Sequence, residues 1–178
     1  MGNAVYIIAS LPMINFGDPA PFSIKELRGR CEGLMTNEEL ATLDALIAGK
    51  ESDDPFVSAY MARDVQLKNV VGRLRAASWG PDVRFAERPF AGYDVTFAKM
   101  VSDAFAKQDP LEREQDIDRA RFWLVDALAG YCEDTMASVY AFAVKLMICE
   151  RWDRISEEAG NAAVLQVINE NDPAYVQE

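Results

Sequence analysis

Apolar residues recur at helical spacing along most of the chain, and capping signals mark where the predicted helices begin. Ser23 followed by Glu26 fits a capping box and predicts a short helix. Thr36 followed by Glu39 fits a second capping box, and the helix that it opens stops at Gly49. The two signals together predict a helical hairpin near the N-terminus.

A long helix is predicted after this hairpin. Asp54 places a capping residue before Pro55 at the first helical position, and apolar residues continue at helical spacing to Trp79. Similar signals predict four further helices, which run from Asp94, from Asp109 to Gly130, from about Asp134 to Ile155 and from Ser156 to Glu170. The helix from Asp134 is apolar on most sides, which is typical of a central buried helix.

The pattern predicts an all-α helical bundle of about six or seven helices. Tyr6 to Leu11 is the one strand-like segment, and it would pair with the linker at residues 80–93, pair with another chain, or be helical. Residues 80–93 contain two prolines and two glycines and are predicted to be a linker. The domain prediction is an N-terminal helical half, residues 1–79, and a C-terminal helical half, residues 94–178, forming one compact body.

A short internal similarity suggests that the two halves are related hairpin units. Leu43 to Gly49 resembles Val125 to Gly130, and each segment precedes an acidic turn and a long helix. The long helices carry Lys68 and Lys145 in similar apolar surroundings. The matching segments are short, so a chance similarity explains them as well as a duplication does.

Composition excludes several kinds of active site. The 178 residues are 50% hydrophobic and 26% charged, as in a folded domain that needs no disulfide or metal for stability. The chain contains no His, which excludes Ser-His-Asp triads and His-ligated zinc. Its three cysteines lack CxxC spacing and are expected in the core, in a reducing compartment. No glycine-rich phosphate loop is present. We therefore expect no cofactor and no enzymatic activity.

The net charge of −11 argues against nucleic-acid binding, because an acidic chain repels phosphate backbones. No apolar stretch is long enough to cross a bilayer, and the N-terminal apolar segment does not fit a signal peptide. These features predict a cytoplasmic protein without direct membrane insertion, which could lie at the inner membrane through a protein partner.

Basic residues concentrate in the middle of the chain and suggest a docking surface. Residues 65–107 carry a net charge of +3, whereas residues 31–64 and 108–178 carry −6 and −9. An acidic partner could bind this basic region, although pairing with the acidic flanks would explain it equally well. The candidate partner-docking residues are Lys68, Arg73, Arg75, Arg84 and Arg88, with Trp79 and Trp152 as candidate aromatic anchors. A position in the core is the simpler explanation for the two tryptophans.

Two other groups of charged residues could support chemistry. An acidic cluster at the start of one helix could bind a divalent cation or form an acid–base pair. The simpler explanation is that the acids complement the helix dipole and pair with Arg113, Arg119 and Arg121. The cluster consists of Glu112, Glu114, Asp116 and Asp118. Lys145 lies among apolar residues and requires a partner, for which Asp118 and Asp126 are the candidates. A buried ion pair is favoured over a catalytic lysine.

Several segments resemble a bacterial family of uncharacterised proteins encoded alongside V-type ATPases. The resemblance rests on four parts of the chain, YIIASLP with PFS near the N-terminus, LKNVVGRLRA at 67–76, DPLERE at 109–114 with Asp118-Arg119, and VKL at 144–146 with ERW at 150–152. The chain also resembles, more distantly, the C subunit of V/A-type ATP synthases, whose eukaryotic counterpart is called d.

In that family the C subunit is built from three helical bundles that connect the rotor stalk to the membrane ring, and it performs no catalysis. The segment most like its repeated helix supplies Leu67, Lys68, Asn69, Leu74 and Arg75, with Lys145 in the second copy. This chain has room for two units rather than three, and Leu146 stands where the first copy has Asn69. The complete funnel that the three bundles of the C subunit form is therefore not expected.

The resemblance implies a non-catalytic adaptor, subunit or assembly factor of a V/A-type proton- or sodium-translocating ATPase, which binds its stalk or membrane-ring subunits. One alternative is a helical-bundle enzyme or ligand-binding regulatory protein with its site near Lys145. Another is a self-associating regulatory protein unrelated to ATPases. A deep pocket around Lys145 would favour the first alternative, and a stable homodimer would favour the second.

Overall fold

The helices account for all the regular secondary structure of the described residues. A computed structural model describes residues 3–130, 135–155 and 157–171, in which the chain forms eight helices and no strand. The predicted all-α class is therefore confirmed. The helices are α1 (Ala4–Ser10), α2 (Ile24–Cys31), α3 (Asn37–Ile47), α4 (Pro55–Trp79), α5 (Val95–Phe105), α6 (Pro110–Ala129), α7 (Met136–Asp153) and α8 (Glu157–Asn171).

Side chains predicted as caps begin five of these helices. Each accepts a hydrogen bond from a backbone N–H of the first turn, which would otherwise lack a partner. At α3 the capping box is reciprocal, since Glu39 N donates to Thr36 Oγ1 at 3.2 Å and Thr36 N donates to Glu39 Oε2 at 2.8 Å. The capping residues are Ser23, Thr36, Asp54, Asp94 and Asp109.

The N-terminal apolar segment is a helix, so the suggestion of a short strand is wrong. Asn3 caps α1, because its Oδ1 accepts from Tyr6 N at 3.3 Å. An isolated strand would leave its backbone hydrogen-bonding groups unpaired, whereas a helix pairs them within the segment. The apolar side chains of α1 serve packing instead, since Ala4 and Ile7 are buried and α1 lies against α7.

Helix α7 is the centre of the larger of two apolar clusters. It packs against α1, α2, α3, α4 and α6. Val139, Ala143 and Leu146 of α7 are completely buried, as expected for a helix with apolar residues on most sides. The cluster continues into α2 and α3 through Leu27 and Leu43.

A second apolar cluster fills the space between α4, α5 and α6. Its buried members include Leu67, Val70, Phe97, Val101 and Leu124. Each cluster draws helices from both sides of residues 80–93, so the predicted halves share both cores. Among the described helices, none combines the length and the apolar character that crossing a bilayer requires.

The two segments that suggested a repeat have similar helix ends. Gly49 follows α3 with a φ of 64°, and Gly130 caps α6 with a φ of 72°. Both angles lie in the left-handed region that glycine adopts without strain. The lysines after these turns have different surroundings, as described below, and the repeat stays a prediction.

The buried Tyr140 makes the free energy of unfolding depend on pH in the alkaline range. Tyr140 is 1% exposed, and its hydroxyl donates to Glu39 O at 3.3 Å. Burial, reinforced by the negative charge of Asp54, raises the pKa of Tyr140 to about 12. In the unfolded chain the phenol ionises near pH 10. The stabilisation from this raised pKa is therefore complete below pH 10 and is lost as the pH rises towards 12.

We expect Tyr140→Phe to weaken this pH dependence. Between pH 9 and pH 11 the wild type should lose about 1.4 kcal/mol more of its free energy of unfolding than the variant. Urea unfolding followed by circular dichroism at the two pH values measures the difference. Tyr6→Phe is the control, because Tyr6 is 60% exposed. Equal losses in wild type and Tyr140→Phe would contradict the assignment.

Candidate docking groove

The predicted linker is held along α4 by side chains of that helix. Residues 81–93, which we call the strap, contain no helix or strand and return along α4. Asn69 is buried and pairs with the backbone of Arg88 in both directions, donating from Nδ2 to Arg88 O at 2.8 Å and accepting from Arg88 N at 3.0 Å. Buried Gln66 makes the same two contacts with the backbone of Asp94, at 2.6 and 3.0 Å. The strap is thus attached by amide groups rather than by apolar packing alone.

Close packing adds a further contact between the strap and α4. The ring of Phe85 lies directly over Gly72, where a Cβ atom would collide with the ring. Nearer the end of the strap, Arg63 Nη2 donates to Ala91 O at 2.9 Å. Gly72 is therefore required for the approach of an aromatic ring to the helix backbone.

A network of alternating charges joins α4, α6 and α7 beside the strap. Its centre is Asp118, whose side chain is fully buried and accepts hydrogen bonds from Arg121, Arg151 and Trp152. Arg121 Nη1 and Trp152 Nε1 each lie 2.8 Å from an Asp118 oxygen. Three donors from two helices compensate the buried carboxylate, as a charge in the interior requires.

The same network extends outwards to the surface on both sides. Arg121 Nη2 also lies 3.5 Å from Asp64 Oδ1, and Asp64 Oδ2 lies 2.5 Å from Lys68 Nζ. On the other side, Arg151 Nη2 lies 3.9 Å from Glu114 Oε2. Burial alone would lower the pKa of Arg121, but the charge of Asp118 and its hydrogen bond outweigh that effect and raise the pKa.

Strap and network border an open groove of about 690 Å³. Five cationic side chains line it, whereas Glu114 is the acid in the described lining. The cations come from α4, the strap, α6 and α7, and they are Lys68, Arg75, Arg88, Arg121 and Arg151. Within the described residues, Arg75 and Arg88 form no ion pair with a carboxylate, and both are exposed. The groove therefore presents uncompensated positive charge on an acidic protein.

The structure brings together three of the five predicted docking cations, Lys68, Arg75 and Arg88. The other two, Arg73 and Arg84, do not line the groove. Arg73 Nε instead lies 3.2 Å from Glu87 Oε1 of the strap. Part of the basic region is thus used for intramolecular pairing, which the sequence had left open.

The two predicted aromatic anchors have different surroundings. Trp79, the last residue of α4, is 75% exposed. Trp152 is half-buried, packs against the larger apolar cluster and donates its indole N–H to Asp118. Trp79 is accordingly available to a partner, whereas Trp152 is engaged inside the protein.

Lys145 pairs with Asp126 and not with Asp118. Lys145 Nζ lies 2.5 Å from Asp126 Oδ1, between α7 and α6. The lysine side chain is 17% exposed and the aspartate 63%, so the pair is open to solvent on its acidic side rather than fully buried. Lys68, the matching lysine of the suggested repeat, is 57% exposed and pairs within its own helix.

The acidic cluster on α6 is divided among several arginines. Asp116 pairs with Arg119, and Asp118 and Glu114 belong to the charge network. Among the described residues, no group of three or more Cys, Asp and Glu side chains is placed so that it could hold a metal ion. Glu112 lies in the first turn of α6, where a negative charge complements the helix dipole.

The cysteines that the structure describes are core residues. Cys31 and Cys149 are both buried and free, and burial raises the pKa of each thiol. A raised pKa lowers the thiolate fraction and hence the reactivity at neutral pH. Cys132 lies outside the described residues.

Sequence reasoning missed Arg121 and Arg151 as groove residues. They are distant in sequence from the basic region, and both stand in a segment whose net charge is strongly negative. Arg121 was expected to pair with the acidic cluster, and it does pair with Asp118 three residues before it, but its place in the groove was not expected. The contribution of Arg151 depends on the packing of α7 against α6.

No protein-family model matches the chain, and no curated protein or solved structure matches it significantly.

Removal of the buried charge at the centre of the network should be strongly destabilising. Asp118→Asn replaces one carboxylate oxygen by an NH2 group, which cannot accept a hydrogen bond from the surrounding donors, and it leaves Arg121 and Arg151 without their buried counter-ion. We expect the free energy of unfolding to fall by about 3–5 kcal/mol. Asp116→Asn, two residues away on the same helix, is the control, and because its ion pairs lie at the surface it should cost about 0–1 kcal/mol. Urea unfolding measures both, and similar losses would contradict the role of Asp118.

The side-chain amide groups on α4 that hold the strap should limit its cleavage by a protease. We expect Asn69→Leu to make trypsin cleave after Arg84 roughly tenfold faster under native conditions, because losing two hydrogen bonds to a buried site costs about 1–3 kcal/mol. Val101→Ala is the control, since it weakens the core without touching the strap. If Val101→Ala accelerates cleavage after Arg84 as much as Asn69→Leu does, global unfolding and not release of the strap would be the cause.

Proposed function

We propose that this chain is a non-catalytic docking protein that binds an acidic segment of a partner protein in the cationic groove. The observation that carries the proposal is the convergence of five cations from four separate parts of the chain on one open groove. Arg75 and Arg88 are exposed there without a carboxylate partner among the described residues. Positive charge placed against an acidic segment accelerates association and selects the partner.

The charge distribution favours a protein segment over a nucleic acid. The chain as a whole carries a net charge of −11, which opposes the approach of a long phosphate backbone at low ionic strength. A short acidic segment avoids most of this repulsion because it contacts the groove alone. Arginine suits such a contact, since its guanidinium forms paired hydrogen bonds with carboxylates.

The groove is built to keep its cations in position. Asn69 fixes the backbone of Arg88, and Asp118 orients Arg121 and Arg151 from the interior. Side chains held in place before binding lose less conformational freedom when the partner arrives. The groove thus combines a rigid inner row of paired arginines with two exposed arginines that a partner can neutralise.

The partner that we propose is a stalk or membrane-ring subunit of a V/A-type ATPase, with this chain acting as an adaptor, a subunit or an assembly factor. The support is the resemblance of short segments to proteins encoded with such ATPases and to the C subunit of the V/A-type enzymes. Residues of the most similar segment build the groove, since Lys68 and Arg75 line it and Asn69 holds the strap. Leu67 and Leu74 of that segment pack in the second apolar cluster.

Reversing two groove charges should reduce partner recovery at least tenfold. We expect the variant Arg75→Glu with Arg88→Glu to retain less than a tenth of the co-purifying partner when tagged protein is isolated from its native host at low salt. The control is Lys25→Glu with Arg84→Glu, which makes the same change in net charge at exposed residues outside the groove. Mass spectrometry identifies the co-purifying proteins, and thermal unfolding checks that both variants fold.

Three results would count against parts of this proposal. Equal partner recovery by the groove variant and its control would rule out the groove as the docking site. Recovery of the chain without ATPase subunits, from cells that contain the ATPase, would rule out the proposed partner. A stable homodimer in analytical ultracentrifugation, disrupted by the groove variant alone, would make the groove a contact between two copies.

A further inference from the structure

A second concave site lies apart from the docking groove and shares no lining residue with it. The cleft has a volume of about 420 Å³ and lies between α1 with the segment that follows it and the facing parts of α6 and α7. Its described walls are mainly apolar, formed by side chains such as Ile8, Leu11, Met13, Ala141 and Phe142. Volume and lining are in the range of small-molecule sites, which combine apolar walls with a few polar groups.

The charged groups of the cleft are an ion pair whose two members differ in exposure. Lys145 reaches the cleft from α7, with its side chain 17% exposed, whereas Asp126 is 63% exposed. The ammonium group also lies 5.7 Å from the centre of the Phe122 ring. An ammonium with so little access to water requires a counter-ion, whereas an exposed carboxylate can be hydrated when it loses its partner.

This asymmetry allows a carboxylate from outside to replace Asp126. The incoming group would gain the same hydrogen bond to Lys145 Nζ, and Asp126 would turn to solvent at little cost. Hydrocarbon attached to the incoming carboxylate would cover the apolar walls, which Asp126 cannot do. Burial of that hydrocarbon supplies the free energy that favours the ligand over Asp126 as the partner of Lys145.

We propose that the cleft binds an amphipathic monocarboxylate, with its carboxylate on Lys145 and its hydrocarbon chain against the apolar walls. The ligand should carry a single negative charge, because Lys145 is the one cation among the described lining residues. A phosphate monoester would bring a second negative charge close to Asp126 and is disfavoured. The site is independent of partner docking in the groove.

Binding of octanoate and decanoate to the full chain, measured by isothermal titration calorimetry, tests the proposal. Each added CH2 group should tighten binding by about fourfold, which corresponds to its burial in the apolar cleft. 1-Octanol has the same chain length as octanoate but no charge, and we expect it to bind at least tenfold more weakly. Equal affinity for octanoate and octanol, or affinity that does not change with chain length, would overturn the proposal.

Two variants separate this site from non-specific binding of hydrocarbon. Lys145→Met retains an unbranched apolar side chain but removes the charge, and it should bind decanoate at least tenfold more weakly. Asp126→Asn removes the competing carboxylate and should bind decanoate several-fold more tightly than the wild type. Asp116→Asn makes the same change away from the cleft and should have no effect on binding.

The opposite responses of the two variants make the test decisive even if Lys145→Met folds poorly. Weaker or unchanged binding by Asp126→Asn would contradict the exchange of carboxylates. The same variant should also be stabilised by decanoate more than the wild type is, because its ammonium group lacks the internal counter-ion. A thermal shift of equal size in both proteins would likewise contradict the proposal.

Discussion

The buried carboxylate of Asp118 is the interaction on which the arrangement of this protein depends most. A negative charge without exposure to water is tolerated only when donors surround it, and here Arg121, Arg151 and Trp152 supply them. These donors fix the end of α7 against the middle of α6. The alignment of α7 in turn places Tyr140 and Lys145 in their environments, since both lie on the same helix.

The charge network also explains how an acidic protein can present a basic groove. Asp118 attracts two arginines of the acidic C-terminal segment and holds them beside Lys68 and Arg75 of α4. The strap adds Arg88, whose backbone Asn69 holds in place. Charges that are distant in sequence thus act together at one surface, whereas the rest of the surface retains the negative charge that favours solubility.

The candidate sites could be predicted from the sequence only in part. Lys68, Arg75 and Arg88 were identified because basic residues cluster between acidic flanks, and all three line the groove. Arg73 belongs to the same cluster but pairs with Glu87, and no local pattern distinguishes it from Arg75. Arg121 and Arg151 were missed, because their position in the groove depends on contacts between helices. Lys145 was recognised as needing a partner, but the choice of Asp126 over Asp118 requires the packing of α6 against α7.

The sequence by itself determined the helical class and most helix boundaries, because capping residues such as Thr36 and Asp54 act on backbone groups within their own first turn. It did not determine the conformation of residues 4–10, whose apolar pattern suits a strand or a helix until a packing surface is available. Only the tertiary structure placed Asp118 in the interior and closed the strap over α4. The physical reason is that capping is a local interaction, whereas burial and charge pairing depend on which distant side chains share the same space.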